Sequence, residues 1–419
     1  MNTDCEITPI TKPVDWRSAD FFRDVVSSDL QISPNDFTML DMRVANATEK
    51  TAGYMSLMHR VTLQVQVHDN GANESQTKQV NYIVKEKSEK VFGGEVVDMM
   101  RAFPKEMDVY STLLPAFEEL WKDENVQFGP RVFKVTSDPF TVIVMEDLKL
   151  TGYQMKECNA GLSQQDCENV LEKLAKFHAA SVVYYEQNGS YPDDFKEGMF
   201  SDGLTAEFEQ YYVPLFDSYL QALEELGYPA EIIESLKPMR GKVYSKTSKL
   251  FKLDPTKFNV LNHGDVWVNN IQFSHRDLLL LDYQISFYGS PSFDLLYFIV
   301  NSASLAVRTE KFDHLIDHYH QHLVEGMQRL HAKTPIPTRR ELHEDIQAHG
   351  LLVCVLSMEA LAMMLAMPDL ELKMDLLGSM DQDGVEYRKQ LFTNVRFVKT
   401  IEKLMPFMWE KGFLVDKKE

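Results

Sequence analysis

The residue pattern changes once along the chain, and this change restricts the fold more than any other feature. Residues 37–145 alternate apolar and polar side chains in β-branched clusters, which predicts a five-stranded antiparallel sheet. The five predicted strands are MLDMRVA, MSLMHRVTLQVQV, KQVNYIVK, PRVFKVT and PFTVIVM. After Met145, apolar residues recur every three or four positions, as in amphipathic helices. The chain is therefore expected to have an α+β fold.

Helical spacing also occurs inside the sheet region, over residues 95–121, where Pro104 and Pro115 interrupt it. One or two helices should therefore accompany the sheet. In the second region a variant of the capping box at Ser163 precedes a helix that runs to about Tyr185. Further helices are predicted over residues 204–226, 231–250, 309–331, 339–367 and 384–409. Two brief strands, residues 270–273 and 278–282, interrupt this helical run as a hairpin.

A small sheet region, a short connector and a larger helical region that carries an acidic hairpin are typical of a bilobal protein kinase-like fold. We expect an N-terminal extension over residues 1–30 and an N-lobe over 31–147 that holds the nucleotide-binding sheet and helix. A mainly helical C-lobe with the catalytic loop and the acceptor pocket should then cover residues 148–415.

The composition is that of an ordinary folded protein, with 44% hydrophobic and 25% charged residues, which excludes disordered and fibrous classes. A net charge of −20 repels polyanions, so nucleic acid is not an expected partner. The four cysteines are scattered, and the N-terminus lacks the pattern of a signal peptide, so we expect a cytoplasmic protein. The most apolar stretch, residues 351–367, holds Glu359 near its centre, which predicts a buried helix and no membrane span.

The hairpin contains the clearest motif. Residues 263–270, HGDVWVNN, match H-x-D-x-x-x-x-N, and Asp282 follows at the end of the next predicted strand. Phosphoryl transfer explains this spacing. A carboxylate, Asp265, orients the attacking hydroxyl, while the Asn270 amide oxygen and the Asp282 carboxylate hold the metal ions on the nucleotide phosphates. The alternative is that these residues only form turns.

A lysine is also required, and Lys85 ends the third predicted strand in Tyr-Ile-Val-Lys, similar to the V-A-I-K pattern. Its ammonium would contact the α- and β-phosphates, with Glu106 as its preferred helix partner and Glu95 as the second choice. The alternative is that Lys85 is a solvated cation at a strand end.

Two further segments are candidates for nucleotide binding. The loop over residues 46–56 contains a single glycine, so an approach to the phosphates would depend on Gly53, Tyr54 and Ser56. An ordinary hairpin is an equal alternative for this loop. The connector VMEDL offers main-chain groups of three consecutive residues to an adenine edge, namely Glu146, Asp147 and Leu148.

The acceptor is expected to be a small molecule. Only eight residues separate Asp282 from Pro291, which leaves no room for the segment that seats a peptide in protein kinases. Gly264 replaces the arginine of H-R-D, and no A-P-E follows.

These motifs resemble those of the aminoglycoside phosphotransferase and choline kinase superfamily. More closely, the chain resembles the ecdysteroid kinase-like family of insects, also called CHK kinase-like. The matching segments are GYMSLMHRV, KEMDVYSTLLP, VMEDL, LAKFHAAS and HGDVWVNN, which together span about residues 53–296.

The resemblance implies a kinase that uses ATP and Mg²⁺. It implies that Asp265 is the catalytic base, that Asn270 and Asp282 bind metal, and that Lys85 and Glu106 position the phosphates. Asp294 would brace the catalytic loop, with the scaffold residues His178 and His263. The implied acceptor is a hydroxyl of an ecdysteroid or a lipophilic xenobiotic, which suggests hormone inactivation or detoxification. No obligate protein partner is expected.

Two other functions remain open at this stage. The glycine-poor loop also fits a catalytically weak or inactive protein that binds a lipophilic ligand, whereas a protein kinase has less support. His314, His318 and His322 could bind a metal on one helix face, although a solvated polar stripe is the preferred interpretation.

Overall fold

The computed structural model describes residues 15–47, 56–68, 76–87, 98–157 and 160–414. The chain divides into two compact units. The first consists of Met1–Val91 and Arg131–Asp147, and the second of Phe92–Pro130 and Leu148–Glu419. The first unit contains an antiparallel sheet and the second is mainly helical, so the predicted α+β fold class is confirmed.

All five predicted strands are present in the first unit. They are β1 (Phe37–Asn46), β2 (Ser56–Val67), β3 (Gln76–Lys87), β4 (Val132–Thr136) and β5 (Val142–Glu146). Their order is β1-β2-β3-β5-β4, and all neighbours are antiparallel. Alternation explains the sheet, because every second residue of β2 from Val61 to Val65 is fully buried.

Residues 15–30, part of the predicted N-terminal extension over residues 1–30, cluster by contact with the sheet unit. Helix α1 (Arg23–Leu30) and the turn before it place Trp16, Phe22 and Val26 in the same hydrophobic cluster as Val61 and Val84. Each such buried side chain stabilises the fold by about 1.5–3 kcal/mol. The segment therefore forms part of the sheet's core.

The second unit begins with a helical segment within residues 92–130. By its contacts, this segment belongs with the later helices and not with the sheet. Helix α2 (Ala102–Asp108) continues through a π-helical turn, Val109–Leu113, into α3 (Leu114–Leu120). Pro104 lies in the first turn of α2, where its missing N–H is not needed. The π turn accommodates Pro115, so the predicted interruptions do not separate two helices.

Most of the remaining helices begin or end near the predicted positions, but several predicted helices are divided. The helices are α4 (Gln164–Asn188), α5 (Thr205–Glu225), α6 (Ala230–Leu236), α7 (Val243–Leu250), α8 (Ser292–Ser302), α9 (Leu305–Glu310), α10 (Phe312–Arg329), α11 (Arg339–Ala348), α12 (Leu351–Met358), α13 (Ala360–Met364), α14 (Met374–Gly378), α15 (Gln382–Thr393) and α16 (Val395–Glu410). The predicted helix over 231–250 ends at the turn that contains Pro238. The predicted helix over 339–367 becomes three helices, with a break at Glu359.

Two small sheets lie within the helical unit. Strand β6 (Val260–Asn262) pairs with β9 (Phe287–Gly289), and β7 (Ile271–Phe273) pairs with β8 (Leu278–Leu280). The predicted hairpin is therefore present, although its second strand ends two residues before Asp282.

No single helix in the ranges that the structure describes is both long and apolar enough to cross a membrane. Helices α11 and α12–α13 meet the length and composition criteria only as a pair, and they are bent by 50°. Most of α12 is buried, as in the core helix of a folded protein.

Candidate active site

The predicted catalytic loop lies between β6 and β7, and each of these strands is fixed by its own small sheet. Within the loop, the Asp265 N–H donates to Nδ1 of His263 at 3.2 Å. The Asn270 N–H donates to the carbonyl oxygen of Trp267 at 2.8 Å, which closes a 3₁₀ turn. The loop is thus held at both ends by hydrogen-bonded backbone.

Asp265 and Asn270 are in direct contact. Nδ2 of Asn270 donates to Oδ2 of Asp265 at 2.8 Å and to the Asp265 carbonyl oxygen at 2.9 Å. The hydroxyl of Tyr297 donates to Oδ1 of Asp265 at 2.7 Å. Each carboxylate oxygen of Asp265 therefore accepts a hydrogen bond from a donor that fixes its orientation.

Asp282 follows the second strand of the hairpin. The Leu281 N–H donates to the carbonyl oxygen of Asn270 at 2.8 Å, so Asp282 directly follows a residue that contacts the loop. Its φ of 68° is in the left-handed region, which costs a non-glycine residue about 1–3 kcal/mol. The Asp282 N–H donates to the hydroxyl of Tyr110 at 3.3 Å, a contact that helps to hold this conformation.

Asp294 fixes the start of the catalytic loop. Its Oδ2 accepts from the N–H of His263 at 2.7 Å, and its Oδ1 accepts from the N–H of Gly264 at 2.9 Å. Its carboxylate is fully buried, and Oδ2 also lies 3.2 Å from Nε2 of His178. The Asp294 carboxylate on α8 therefore holds the first residues of the loop in place.

Gly264 cannot be replaced by a larger residue without moving this loop. Its φ is +85°, and a Cβ atom would lie 2.3 Å from the carbonyl oxygen of Ile285. A glycine is thus required by both conformation and space.

The two histidines near Asp294 are buried scaffold. Nδ1 of His178 lies 2.7 Å from the hydroxyl of Tyr319, so His178 links α4, α8 and α10. Burial lowers the pKa of His263, which agrees with an Nδ1 that accepts a hydrogen bond from Asp265.

Lys85 and Ser56 lie in the sheet unit. Lys85 is 4% exposed on β3, opposite Met58 of β2 and Ile143 of β5. Ser56 begins β2 and is buried. Three other candidates, Gly53, Tyr54 and Glu95, lie outside the residues that the structure describes.

The three connector residues, Glu146, Asp147 and Leu148, form different kinds of polar contact. Asp147 forms a bidentate ion pair with Arg60, with Arg60 Nε 2.5 Å from Oδ2, and this contact raises the pKa of Arg60. The N–H of Glu146 donates to the carbonyl oxygen of Arg131 at 2.9 Å. In the other unit, the Leu148 carbonyl oxygen accepts from the N–H of Tyr153 at 3.1 Å.

Glu106 is fully buried on α2 of the second unit. The neighbouring Lys105 is also buried and donates from Nζ to the carbonyl oxygen of Glu197 at 2.6 Å. Burial lowers the pKa of Lys105 to about 8. Lys105 and Glu106, two adjacent residues whose side chains are ordinarily of opposite charge, are therefore both buried.

The histidine stripe has carboxylate partners. Nε2 of His314 lies 2.6 Å from Glu168, and Nδ1 of His322 lies 3.1 Å from Glu325. In the described ranges, no group of three or more His, Cys, Asp or Glu side chains is arranged to hold a metal ion.

Sequence reasoning missed Tyr297 and Tyr110, which contact Asp265 and Asp282. Helix α8, which carries Tyr297, has no exposed residue in the described ranges and therefore has no periodic pattern. Tyr110 belongs to a segment that was quoted, KEMDVYSTLLP, but nothing in the sequence indicates its contact.

A sheet unit, a helical unit and a loop that presents Asp265 and Asn270 define the class of kinase-fold phosphotransferases. The model of the ecdysteroid kinase-like family matches residues 50–332, about two thirds of the chain. The chain therefore belongs to the ecdysteroid kinase-like family.

Solved structures that align with this chain are distant kinases. A choline kinase from Cryptosporidium parvum is 12% identical with a TM-score of 0.46, and the alignment covers 95% of this chain and 98% of that one. Choline kinase LicA from Streptococcus pneumoniae is 12% identical with a TM-score of 0.40, covering 92% and 98%. Amicoumacin kinase hAmiN, in complex with AMP-PNP, Ca²⁺ and Ami, is 12% identical with a TM-score of 0.37, covering 90% and 94%. A search of curated proteins finds no significant match.

Proposed function

We propose that this protein is an ATP-dependent small-molecule kinase that phosphorylates a hydroxyl of a lipophilic acceptor such as an ecdysteroid or a xenobiotic. The observation that carries the proposal is the contact between Asp265 and Asn270 in a loop whose backbone is fixed by Asp294. Phosphoryl transfer depends mainly on position and charge, so it requires rigidly held groups of this kind.

Asp265 would act as the base. The acceptor oxygen forms a bond to the terminal phosphorus of ATP, and the bond from that phosphorus to the bridging oxygen of ADP breaks. The hydroxyl proton passes to the Asp265 carboxylate. The donors Tyr297 and Asn270 keep the carboxylate oriented throughout.

The oxygen donors of this site fit Mg²⁺, which prefers carboxylate and amide oxygens. Nδ2 of Asn270 donates to Asp265, so the amide oxygen Oδ1 is the Asn270 atom that would hold the cation, together with the Asp282 carboxylate. Bound Mg²⁺ would neutralise charge on the phosphates.

The other proposed roles concern the nucleotide. Lys85 would contact its phosphates and Glu106 would hold that lysine, while Gly53, Tyr54 and Ser56 would cover the phosphates. Main-chain groups of Glu146, Asp147 and Leu148 would face the adenine. The burial of Lys85 supports its role, because a buried ammonium requires an anionic or polar neighbour.

The family supports the choice of acceptor, as do the aromatic and methionine side chains of α5 and α12–α13. The proposed location is the cytoplasm, and the proposed role is hormone inactivation or detoxification.

The test is an ATP-consumption screen over ecdysteroids, other sterols and plant toxins, with and without a chelator of divalent cations. Saturable consumption that the chelator abolishes is expected for at least one acceptor. Asp265→Asn should remove turnover while it retains the fold and nucleotide binding. The matched control is Asp277→Asn, in the same hairpin, whose carboxylate pairs with Lys173 at 2.8 Å.

Thermal-shift titration distinguishes a kinase from an inactive binder. A kinase is stabilised by Mg-ATP, whereas a binder is stabilised by the lipophilic ligand alone. Unchanged turnover in Asp265→Asn would contradict the assignment of the base.

A further inference from the structure

A second polar cluster in the helical unit surrounds Glu359. This residue lies at the break between α12 and α13, with φ −118° and ψ −88°. Its Oε1 accepts from the hydroxyl of Tyr211 at 3.1 Å, and its Oε2 accepts from the hydroxyl of Tyr212. Two consecutive tyrosines of α5 thus hold a carboxylate that the sequence places in the most apolar stretch of the chain.

Glu359 and the proposed base are connected through α8. Helix α8, which carries Tyr297, packs against both α12 and α13. Burial raises the pKa of Tyr297 well above its usual value, and the nearby carboxylates of Asp265 and Glu359 raise it further. Tyr297 therefore lies within the electrostatic range of both carboxylates.

A third polar group lies on the same helix face. Asn301 is one turn after Tyr297 on α8 and only 2% exposed, and neither polar atom of its side-chain amide has a hydrogen-bond partner among the described residues. A buried amide without partners is costly, by about 1–3 kcal/mol.

The surroundings of Glu359 suit an amphipathic molecule. Glu359 and Tyr211 are each half-buried as whole residues, and burial raises the pKa of the Glu359 carboxyl. Met363 and Met364 on α13 are half-buried as well. Each Glu359 oxygen accepts one tyrosine hydroxyl and has a second lone pair for another donor.

We propose that Glu359 recognises the acceptor, and that this acceptor carries, besides the hydroxyl to be phosphorylated, a second group that donates a hydrogen bond to Glu359. The donor is a hydroxyl or an ammonium group. The inference rests on the proposed function, because it places the acceptor beside Asp265. It narrows the acceptor class from any lipophilic alcohol to molecules with two separated polar groups.

The test measures equilibrium binding without nucleotide, so that it does not depend on turnover. The probes are 20-hydroxyecdysone, which has several hydroxyls, sphingosine, which has an ammonium group, and cholesterol, which has one hydroxyl. Wild-type protein should bind one of the first two at least about tenfold more tightly than cholesterol. The tighter of the two identifies the donor as hydroxyl or ammonium.

Glu359→Gln should remove most of this preference, with about a tenfold loss for the preferred probe and no change for Mg-ATP. Tyr211→Phe, a milder change, should give a smaller loss in the same direction. Tyr219→Phe is the matched control, because its hydroxyl also links α5 to α12, through Ser357 at 2.8 Å, without contacting Glu359. A melting curve for each variant identifies any that do not fold.

Equal affinity for cholesterol would overturn the proposal, as would unchanged affinity in folded Glu359→Gln or Tyr211→Phe, or no binding of either preferred probe. The proposed function can fail separately. A protein that binds these probes through Glu359 but consumes no ATP would retain the recognition site and lose the kinase assignment.

Discussion

The hydroxyl of Tyr297 donates to Oδ1 of Asp265 at 2.7 Å, on the opposite side of the carboxylate from the Asn270 amide. A tyrosine on α8 therefore helps to set the orientation of the proposed base. This contact joins two parts of the chain that are 32 residues apart.

Tyr297→Phe should lower kcat about tenfold and leave KM for ATP nearly unchanged, because the carboxylate loses one orienting hydrogen bond. The free energy of unfolding should fall by about 1–3 kcal/mol, as is usual for a hydrogen bond to a charged group. Tyr191→Phe is the control, since this buried hydroxyl donates to the carbonyl oxygen of Ser181 at 2.8 Å. Equal kinetic effects of the two variants would contradict a specific role of Tyr297.

Gly264→Ala should destabilise the protein by clearly more than Gly152→Ala. The two glycines have nearly the same φ, +85° and +87°, but only Gly264 lacks space, with a carbonyl oxygen 2.3 Å from the added Cβ. The conformational cost alone is about 1–2 kcal/mol, and the difference between the variants isolates the steric contact. Chemical denaturation of both variants measures their free energies of unfolding. Equal decreases in the two variants would show that the loop around Gly264 rearranges to accommodate the added Cβ atom.

Asp294→Asn should lower the free energy of unfolding by about 3–5 kcal/mol and abolish turnover, because one of two backbone N–H groups loses its acceptor inside the protein. Asp313→Asn removes an exposed ion pair with Lys411 and should cost less than about 1 kcal/mol. Denaturant titration and activity measurements test both variants. An active, stable Asp294→Asn would show that the loop does not depend on this carboxylate.

Lys105 predicts a specific pH dependence of stability. Its pKa is about 8 in the folded chain and about 10.4 when unfolded, so between these values the unfolded state binds more protons. This group therefore makes stability rise with pH through that interval, by up to about 3 kcal/mol, and contributes no slope below about pH 7. Unfolding of wild type and Lys105→Met at pH 7, 8 and 9 measures the difference. A difference that does not change with pH would contradict the lowered pKa.

The strands were predictable because alternation directly specifies the buried face of a sheet, as in β2. The hairpin was predictable because the proposed phosphoryl transfer requires the spacing that Asp265 and Asn270 have in the sequence. Helix α8 was not, because a helix that is buried on all sides has no amphipathic period. The break at Glu359 depends on contacts with α5, which lie 147 and 148 residues away in the chain and leave no local signal.

The sheet unit is assembled from two separate stretches, and residues 92–130 between them cluster with the helices. One truncation at Asp147 would therefore leave a fragment with a long segment removed from its packing partners, including the buried α2. Preparing the sheet unit alone would require excising that insert and rejoining Val91 to Arg131 through a linker. No single truncation point therefore separates the two units into two complete fragments.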